Sequence, residues 1–104
     1  MPSHRKLPTY HMLVVIGVLL HRKTYGQVII NETGIRAGTL YPLLKNLKSA
    51  GIVVQERERG DPKLLRRPLR IYYGLTDKGR RFGAMYNTRM LSSDPRLVPF
   101  DEFE

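Results

Sequence analysis

The spacing of hydrophobic residues is most regular in the middle of the chain. Four leucines recur on one face of a predicted helix: Leu40, Leu43, Leu44 and Leu47. Pro42 is tolerated only in a first turn, so this helix should begin near Gly38 or Thr39 and stop at Gly51. The β-branched residues 52–54 then predict a strand.

Two more helices are predicted before it. Thr9 is a suitable N-cap for a first helix that runs to about Arg22 and is apolar nearly all round between residues 12 and 20. Such a helix has to be covered on more than one side, which favours a partner subunit. A short second helix should run from Tyr25 to about Glu32, and its short link to the third predicts a helix-turn-helix.

The second half of the chain predicts a hairpin and a last helix. Extended stretches at 52 to about 58 and about 69–75 flank a turn with Gly60 and Pro62. A β-hairpin with a long cationic tip after a helix-turn-helix is typical of a DNA-binding wing. A final helix should start at Thr76-Asp77 and fade by Ser92. The predicted fold is α+β and mainly α: a winged helix-turn-helix of three helices, a two-stranded wing and a C-terminal helix.

Length and charge define the organisation. The 104 residues suit one domain: a flexible basic arm at 1–8, the winged helix at 9–91 and an acidic, extended tail at 92–104. The net charge is +9, but residues 1–93 hold 17 basic and five acidic residues. An excess of this size indicates a polyanionic partner, most simply nucleic acid, and the rival interpretation is a solubilising surface.

Several classes of function are disfavoured. The chain has no cysteine, and its longest apolar run of nine residues is too short to span a bilayer, so we expect a cytoplasmic protein without a membrane partner. His4, His11 and His21 do not share a metal-ligand spacing, and no catalytic triad or phosphate loop is present. We therefore expect no enzyme activity, no metal and no cofactor. A small-molecule effector is compatible with the sequence, but no motif supports one.

The candidate DNA contacts are polar or cationic side chains on the third helix and the wing. They are Thr39, Tyr41, Pro42, Lys45, Asn46, Lys48, Ser49, Lys63, Arg66, Arg67 and Arg70. The lysines suit phosphate contacts, whereas Asn46 and Ser49 are the better candidates for base edges. The alternative for the cations is a solvated face or a mobile charged loop, and Tyr41 either donates its hydroxyl to a phosphate or simply packs.

Several motifs occur together and in a fixed order along the chain. They are Tyr25-Gly26, the run Gly38-Thr39-Leu40-Tyr41-Pro42-Leu43-Leu44 followed by Leu47 and Gly51-Ile52-Val53, and Tyr72-Tyr73-Gly74-Leu75-Thr76-Asp77-Lys78-Gly79. In these motifs the chain resembles the PadR-like winged-helix transcriptional regulators. The resemblance implies a DNA-binding regulator, usually a repressor, that binds a palindrome-like operator as a homodimer. It places the third helix in the major groove and the wing on the backbone or minor groove.

The resemblance also implies a dimer interface built from the first and last helices. The residues expected there are Met12, Leu13, Val15, Ile16, Leu19, Phe82, Met85 and Tyr86. The last helix is shorter than in many members of the family, so the dimer geometry stays open. Two other functions are consistent with the sequence: a protein-binding adaptor whose basic surface is incidental, and RNA binding, for which the usual stacking platform is missing. Two roles are open for the acidic tail: docking of a partner, or competition with DNA for the basic surface.

Overall fold

The computed structural model describes residues 8–91, with side chains to residue 87, so the predicted arm and tail lie outside the described residues. The elements in chain order are α1 (Tyr10–His21), β1 (Thr24–Tyr25), α2 (Gly26–Thr33), α3 (Ala37–Ser49), β2 (Val53–Arg57), α4 (Pro62–Leu65), β3 (Ile71–Leu75) and α5 (Asp77–Leu91). The predicted winged helix-turn-helix is confirmed. In the described part of the chain, no helix combines the length and apolar character needed to cross a membrane.

The sheet has three strands instead of the two predicted. It is antiparallel with the order β1-β3-β2, and β2 and β3 pair from Val53 opposite Leu75 to Arg57 opposite Ile71. The extra strand, β1, pairs Thr24 with Tyr73 and has only two residues, which is too short to produce an alternating pattern. It occupies the position where the sequence predicted the start of the second helix.

The core is formed around α1, which packs against α2, β3 and α5 of the same chain. Thr9 caps this helix, because its hydroxyl oxygen accepts a hydrogen bond from the Met12 amide at 3.2 Å. The cover that the apolar helix requires is therefore largely intramolecular, and a partner subunit is not needed to provide it. Six side chains expected at the dimer interface are at most 8% exposed and belong to this core: Met12, Val15, Ile16, Leu19, Phe82 and Tyr86.

Helix α3 begins at Ala37, slightly before the predicted start, and ends in a Schellman motif. Gly51 has a φ of +76° and donates its N–H to the Lys48 carbonyl, and the Ile52 N–H reaches the Leu47 carbonyl, both at 3.0 Å. The glycine thus lets the chain turn directly from the helix into β2. At the other end, Gly34 with φ +74° closes α2 and makes the tight link to α3.

Hydrogen bonds around Thr76 join the start of α5 to the turn that precedes β2. The Thr76 hydroxyl donates to the Gly51 carbonyl at 2.5 Å and accepts the N–H of Gly79 at 2.9 Å, so one side chain caps α5 and binds the preceding turn. Lys78 Nζ donates to the Ala50 carbonyl at 3.2 Å. A Cβ at Gly79 would overlap the carbonyl oxygen of Ile52, so the close approach of α5 to the turn before β2 requires glycine there.

Candidate nucleic-acid interface

The outer face of α3 is a continuous polar surface. Its four leucines, Leu40, Leu43, Leu44 and Leu47, are buried at 7% exposure or less, which fixes how the helix is rotated on the core. All seven candidate residues of this helix are exposed as a consequence: Thr39, Tyr41, Pro42, Lys45, Asn46, Lys48 and Ser49. The leucine spacing therefore determines which groups the helix presents to a partner.

Tyr41 has a packing role in addition to its exposed position. It is 46% exposed, yet its ring lies so close to Gly26, the first residue of α2, that a Cβ at Gly26 would overlap the Tyr41 hydroxyl. Tyr25-Gly26 and the helix motif around Tyr41 are thus in direct contact. Tyr41 therefore packs against α2 with its hydroxyl end, although almost half of the residue stays exposed, and its contact with DNA stays a prediction.

The wing tip is an ordered turn of helix and not a simple loop. Asp61 caps α4 by accepting the Lys63 N–H at 2.9 Å, and Pro62 occupies the first helical position. Arg66 ends the turn in a left-handed conformation with a φ of +58°. Lys63 and Arg66 are both exposed, so they are presented from a defined scaffold. A four-residue helix is too short to be visible in the hydrophobic pattern.

Arg67, predicted to contact DNA, forms a bidentate ion pair with Glu58. Nη1 lies 2.7 Å from Oε1 and Nη2 lies 2.8 Å from Oε2, and the two side chains are only 29% and 17% exposed. Glu58 Oε1 also accepts the N–H of Arg70 at 3.1 Å. The Arg67 hydrogen bonds, with help from the Arg70 N–H, lower the pKa of Glu58 from 4.5 to about 2.

Arg70 is also engaged within the molecule. Its guanidinium carbon lies 4.2 Å from the centre of the Tyr25 ring, a cation–π distance. Tyr25 in turn meets Tyr72 edge-on, with ring centres 5.6 Å apart. We define the wing clamp as Glu58, Arg67, Arg70 and Tyr25. It extends from the β2–β3 hairpin to the strand that precedes α2.

The wing clamp borders a groove between the wing and the helix-turn-helix. The groove has a volume of about 640 Å³, and its lining includes Gln27, Tyr41, Arg67, Arg70 and Tyr73. It therefore lies between the two parts of the candidate interface. Within residues 8–91, no group of three histidines and acids comes together as a metal site.

The acidic side chains of the described residues are already occupied. Four of them pair with a cation, in the pairs Glu32–Arg22, Glu56–Lys23, Glu58–Arg67 and Asp77–Arg80, and the fifth, Asp61, caps α4. Within the part of the chain whose side chains are described, seven cations make no ion pair, side-chain hydrogen bond or ring contact: Arg36, Lys45, Lys48, Arg57, Arg59, Lys63 and Arg66. We call these the open cations. Arg70 and Lys78 also lack an ion pair, but Arg70 lies on the Tyr25 ring and Lys78 donates to the Ala50 carbonyl.

All open cations lie on α3, at its N-cap, or on the wing. Three of them are not among the residues predicted from the sequence: Arg36, the N-cap of α3, and Arg57 and Arg59, at the end of β2 and just beyond it. The sequence did contain a signal for these three arginines, because they lie in or directly beside the helix and the hairpin that were predicted to bind DNA. The open cations are thus concentrated on one functional unit, the third helix with its N-cap and the hairpin, instead of being spread evenly.

A helix-turn-helix followed by a basic hairpin, with its open cations on those two parts, defines a DNA-binding winged-helix protein. The family model described as "Transcriptional regulator PadR-like family" matches residues 15–84, which is more than half of the chain. The chain therefore belongs to the PadR-like family of transcriptional regulators, as the sequence motifs indicated. PadR-like regulators bind DNA and are not enzymes, in agreement with the predicted class of function.

Solved structures are similar over most of the chain. A PadR-like transcription factor from Bacteroides fragilis is 26% identical with a TM-score of 0.68, over 79% of this chain and 81% of that one. A PadR family transcription regulator from Clostridium difficile is 22% identical with a TM-score of 0.67, over 82% and 93%. B. subtilis YodB in its diamide-treated form is 22% identical with a TM-score of 0.70, over 88% and 85%. No curated protein sequence matches the chain.

Proposed function

We propose that this protein is a cytoplasmic repressor that binds a palindrome-like operator in double-stranded DNA as a homodimer. The observation that carries the proposal is the position of the open cations on α3 and the wing, while the acids are occupied elsewhere or in the wing clamp. DNA affinity depends chiefly on phosphate contacts, and an unpaired cation is free to make one without first breaking an internal pair.

Helix α3 enters the major groove in this proposal. Lys45 and Lys48 contact phosphates, because lysine is a flexible point charge, and Asn46 and Ser49 face base edges. Specificity is consequently modest, since few side chains on the helix can discriminate between bases. Lys63 and Arg66 at the wing tip contact the neighbouring backbone or minor groove.

The proposed dimer uses the outside of α1, in place of the six core residues expected from the sequence. An accessible strip runs along this helix: Tyr10, Val14, Gly17, Val18 and His21. A Cβ at Gly17 would meet no atom within 4 Å, so another helix can approach closely there. Dimeric helix-turn-helix proteins bind half-sites about one helical turn of DNA apart, and we propose the same spacing for this dimer.

The test is a salt series of binding to a random duplex and to the DNA upstream of the protein's own gene, with the mass of the complex determined. A sequence-specific repressor dimer binds the upstream DNA well above the random duplex, and repression in a reporter strain follows the same sequence. Equal binding to both would refute an operator in that DNA, and no binding to either would favour the adaptor function.

A double variant, Lys45→Gln with Lys48→Gln, tests the role of α3. Each lost phosphate contact lowers the salt slope by about 0.9, so a dimer that loses four contacts should lose about 3.6. The matched control is Arg22→Gln with Lys23→Gln, which removes the same charge from cations paired at 2.5 and 3.0 Å with Glu32 and Glu56. If the control lowers the slope equally, the effect is one of net charge, and the proposed interface is refuted.

A further inference from the structure

The wing contains an acidic residue where a purely electrostatic surface would have none. Glu58 lies among Arg57, Arg59, Arg67 and Arg70, and a carboxylate beside DNA repels phosphates. Simple electrostatics therefore predicts that removing it strengthens DNA binding. Its hydrogen bonds point to the opposite outcome.

Glu58 closes the open end of the hairpin. Its N–H donates to the Arg70 carbonyl at 2.8 Å, which extends the β2–β3 ladder by one residue. Its carboxylate accepts hydrogen bonds from the Arg70 N–H and from both terminal nitrogens of Arg67. The eight residues from 59 to 66, which carry the wing tip, thus emerge from a fixed base. Three of the open cations, Arg59, Lys63 and Arg66, lie within this segment.

The same base is attached to the helix-turn-helix. Arg70 stacks on Tyr25 at 4.2 Å, and Tyr25 is the residue before the first turn of α2. A groove lies between Arg67 and Arg70 on one side and Tyr41 of α3 on the other. Because of this gap, the orientation of the wing tip relative to α3 depends on the strands and on the wing clamp. Loss of the clamp would release the tip without disturbing the buried core.

We infer that Glu58 and Arg67 are positioning residues for DNA binding, whose bidentate pair holds the wing where its open cations reach the DNA. The inference rests on the proposed function. It assigns Arg67 and Arg70 to the support of the wing and leaves the phosphate contacts of the tip to Lys63 and Arg66. An acid is then required on a DNA-binding surface because it orders the cations around it.

A comparison of Glu58 with Glu56, two positions before it on the same strand, provides the test. Glu58→Gln and Glu56→Gln each remove one negative charge from the same edge of the hairpin, but Glu56 is 67% exposed and pairs with Lys23 outside the clamp. We expect Glu58→Gln to weaken binding of a duplex and to lower its salt slope, although the protein gains positive charge. Glu56→Gln should bind as tightly as the wild type or more tightly.

A thermodynamic cycle separates positioning from a direct effect of charge. Arg66→Ala should lower the salt slope by about 0.9 for each half-site in the wild type and in the Glu56→Gln background. In the Glu58→Gln background the same change should have little further effect, because the tip no longer reaches the DNA. An undiminished effect of Arg66→Ala there would overturn the inference.

The remaining outcomes are also decisive. If Glu58→Gln binds as tightly as Glu56→Gln with an unchanged slope, the clamp does not position the wing and the inference fails, while wild-type binding still supports the proposed function. If Glu58→Gln unfolds below the assay temperature, Arg67→Lys replaces it, because lysine keeps the charge but cannot form the bidentate pair. Weaker binding by Arg67→Lys supports the inference, and wild-type binding overturns it.

Discussion

Replacement of Gly79 by alanine should destabilise the protein, although alanine is the better helix former. Gly79 lies in the first turn of α5, where its N–H donates to Thr76. Two opposing effects have to be compared. A glycine inside a helix costs about 0.5–1 kcal/mol relative to alanine, so propensity alone predicts that the variant is more stable.

The packing term acts in the other direction and is larger. The new Cβ would overlap the carbonyl oxygen of Ile52 and lie 3.3 Å from the Ile52 Cγ2 methyl group. Ile52 is fully buried, and its carbonyl accepts the Thr76 N–H at 3.0 Å, so the backbone cannot move away freely. Inserting an extra group into a packed site costs about 1–3 kcal/mol, and an overlap with a held backbone oxygen belongs to the upper part of that range, about 2–3 kcal/mol. Less the gain of up to about 1 kcal/mol from propensity, the net destabilisation is about 1–2 kcal/mol. The melting temperature should fall by about 5–15 °C.

Urea and thermal unfolding followed by far-UV circular dichroism measure this effect, because the chain has no tryptophan. Gly38→Ala is the matched control: Gly38 lies in the first turn of α3, and a Cβ there would meet no atom within 4 Å. We expect this control to be as stable as the wild type or slightly more so. If Gly79→Ala is as stable as Gly38→Ala, the close approach of α5 to Ile52 is wrong.

Three further predictions concern the wing, the helix pair and the dimer. The pKa of Glu58 is lowered from 4.5 to about 2 in the folded protein, so its ionised side chain stabilises the fold above pH 4.5. This contribution should be lost as the pH falls from 4.5 towards 2. The free energy of unfolding of Glu58→Gln should therefore depend less on pH in this window than that of the wild type. Gly26→Ala should displace the partly exposed Tyr41 ring instead of a backbone, so urea unfolding should show a smaller loss than for Gly79→Ala; an equal loss would refute the assigned packing of Tyr41. Val14→Glu on the outer strip of α1 should make the protein monomeric in analytical ultracentrifugation, with an unchanged circular dichroism spectrum. The control Val54→Glu on β2 should leave the mass of the dimer unchanged. A dimeric Val14→Glu variant would exclude the outer strip of α1 as the dimer interface.

The local signals in the sequence were sufficient for the main helices and the wing. The leucine spacing of α3, the cap at Thr9 and the stop at Gly51 are determined by residues near one another in the chain, and the structure confirms each of them. The two missed elements, β1 and α4, have two and four residues. Elements of that length depend on their neighbours, β1 on pairing with β3 and α4 on the cap at Asp61, and contain no period of their own.

The environment of α1 could not be predicted for a different reason. Its apolar surface shows that the helix must be covered, but the covering elements are distant in sequence, and the pattern does not distinguish α2, β3 and α5 of the same chain from a second subunit. Burial of Val15, Ile16 and Phe82 in one chain resolves this point. The outer strip around Val14 and Gly17 contains no charged or strongly polar residue between positions 12 and 20, so the periodicity does not separate it from the core-facing positions.

The wing arginines show how charge counting fails on a basic surface. From the sequence, Lys63, Arg66, Arg67 and Arg70 were predicted to be equivalent DNA contacts. In the structure Lys63 and Arg66 are exposed, whereas Arg67 pairs with Glu58 and Arg70 lies on the Tyr25 ring. Continuing the β2–β3 register by one residue places Glu58 opposite Arg70, so this division arises from strand pairing and not from composition. The cations available for phosphate contacts therefore depend on the pairs and ring contacts that the fold makes, and the net charge alone does not identify them.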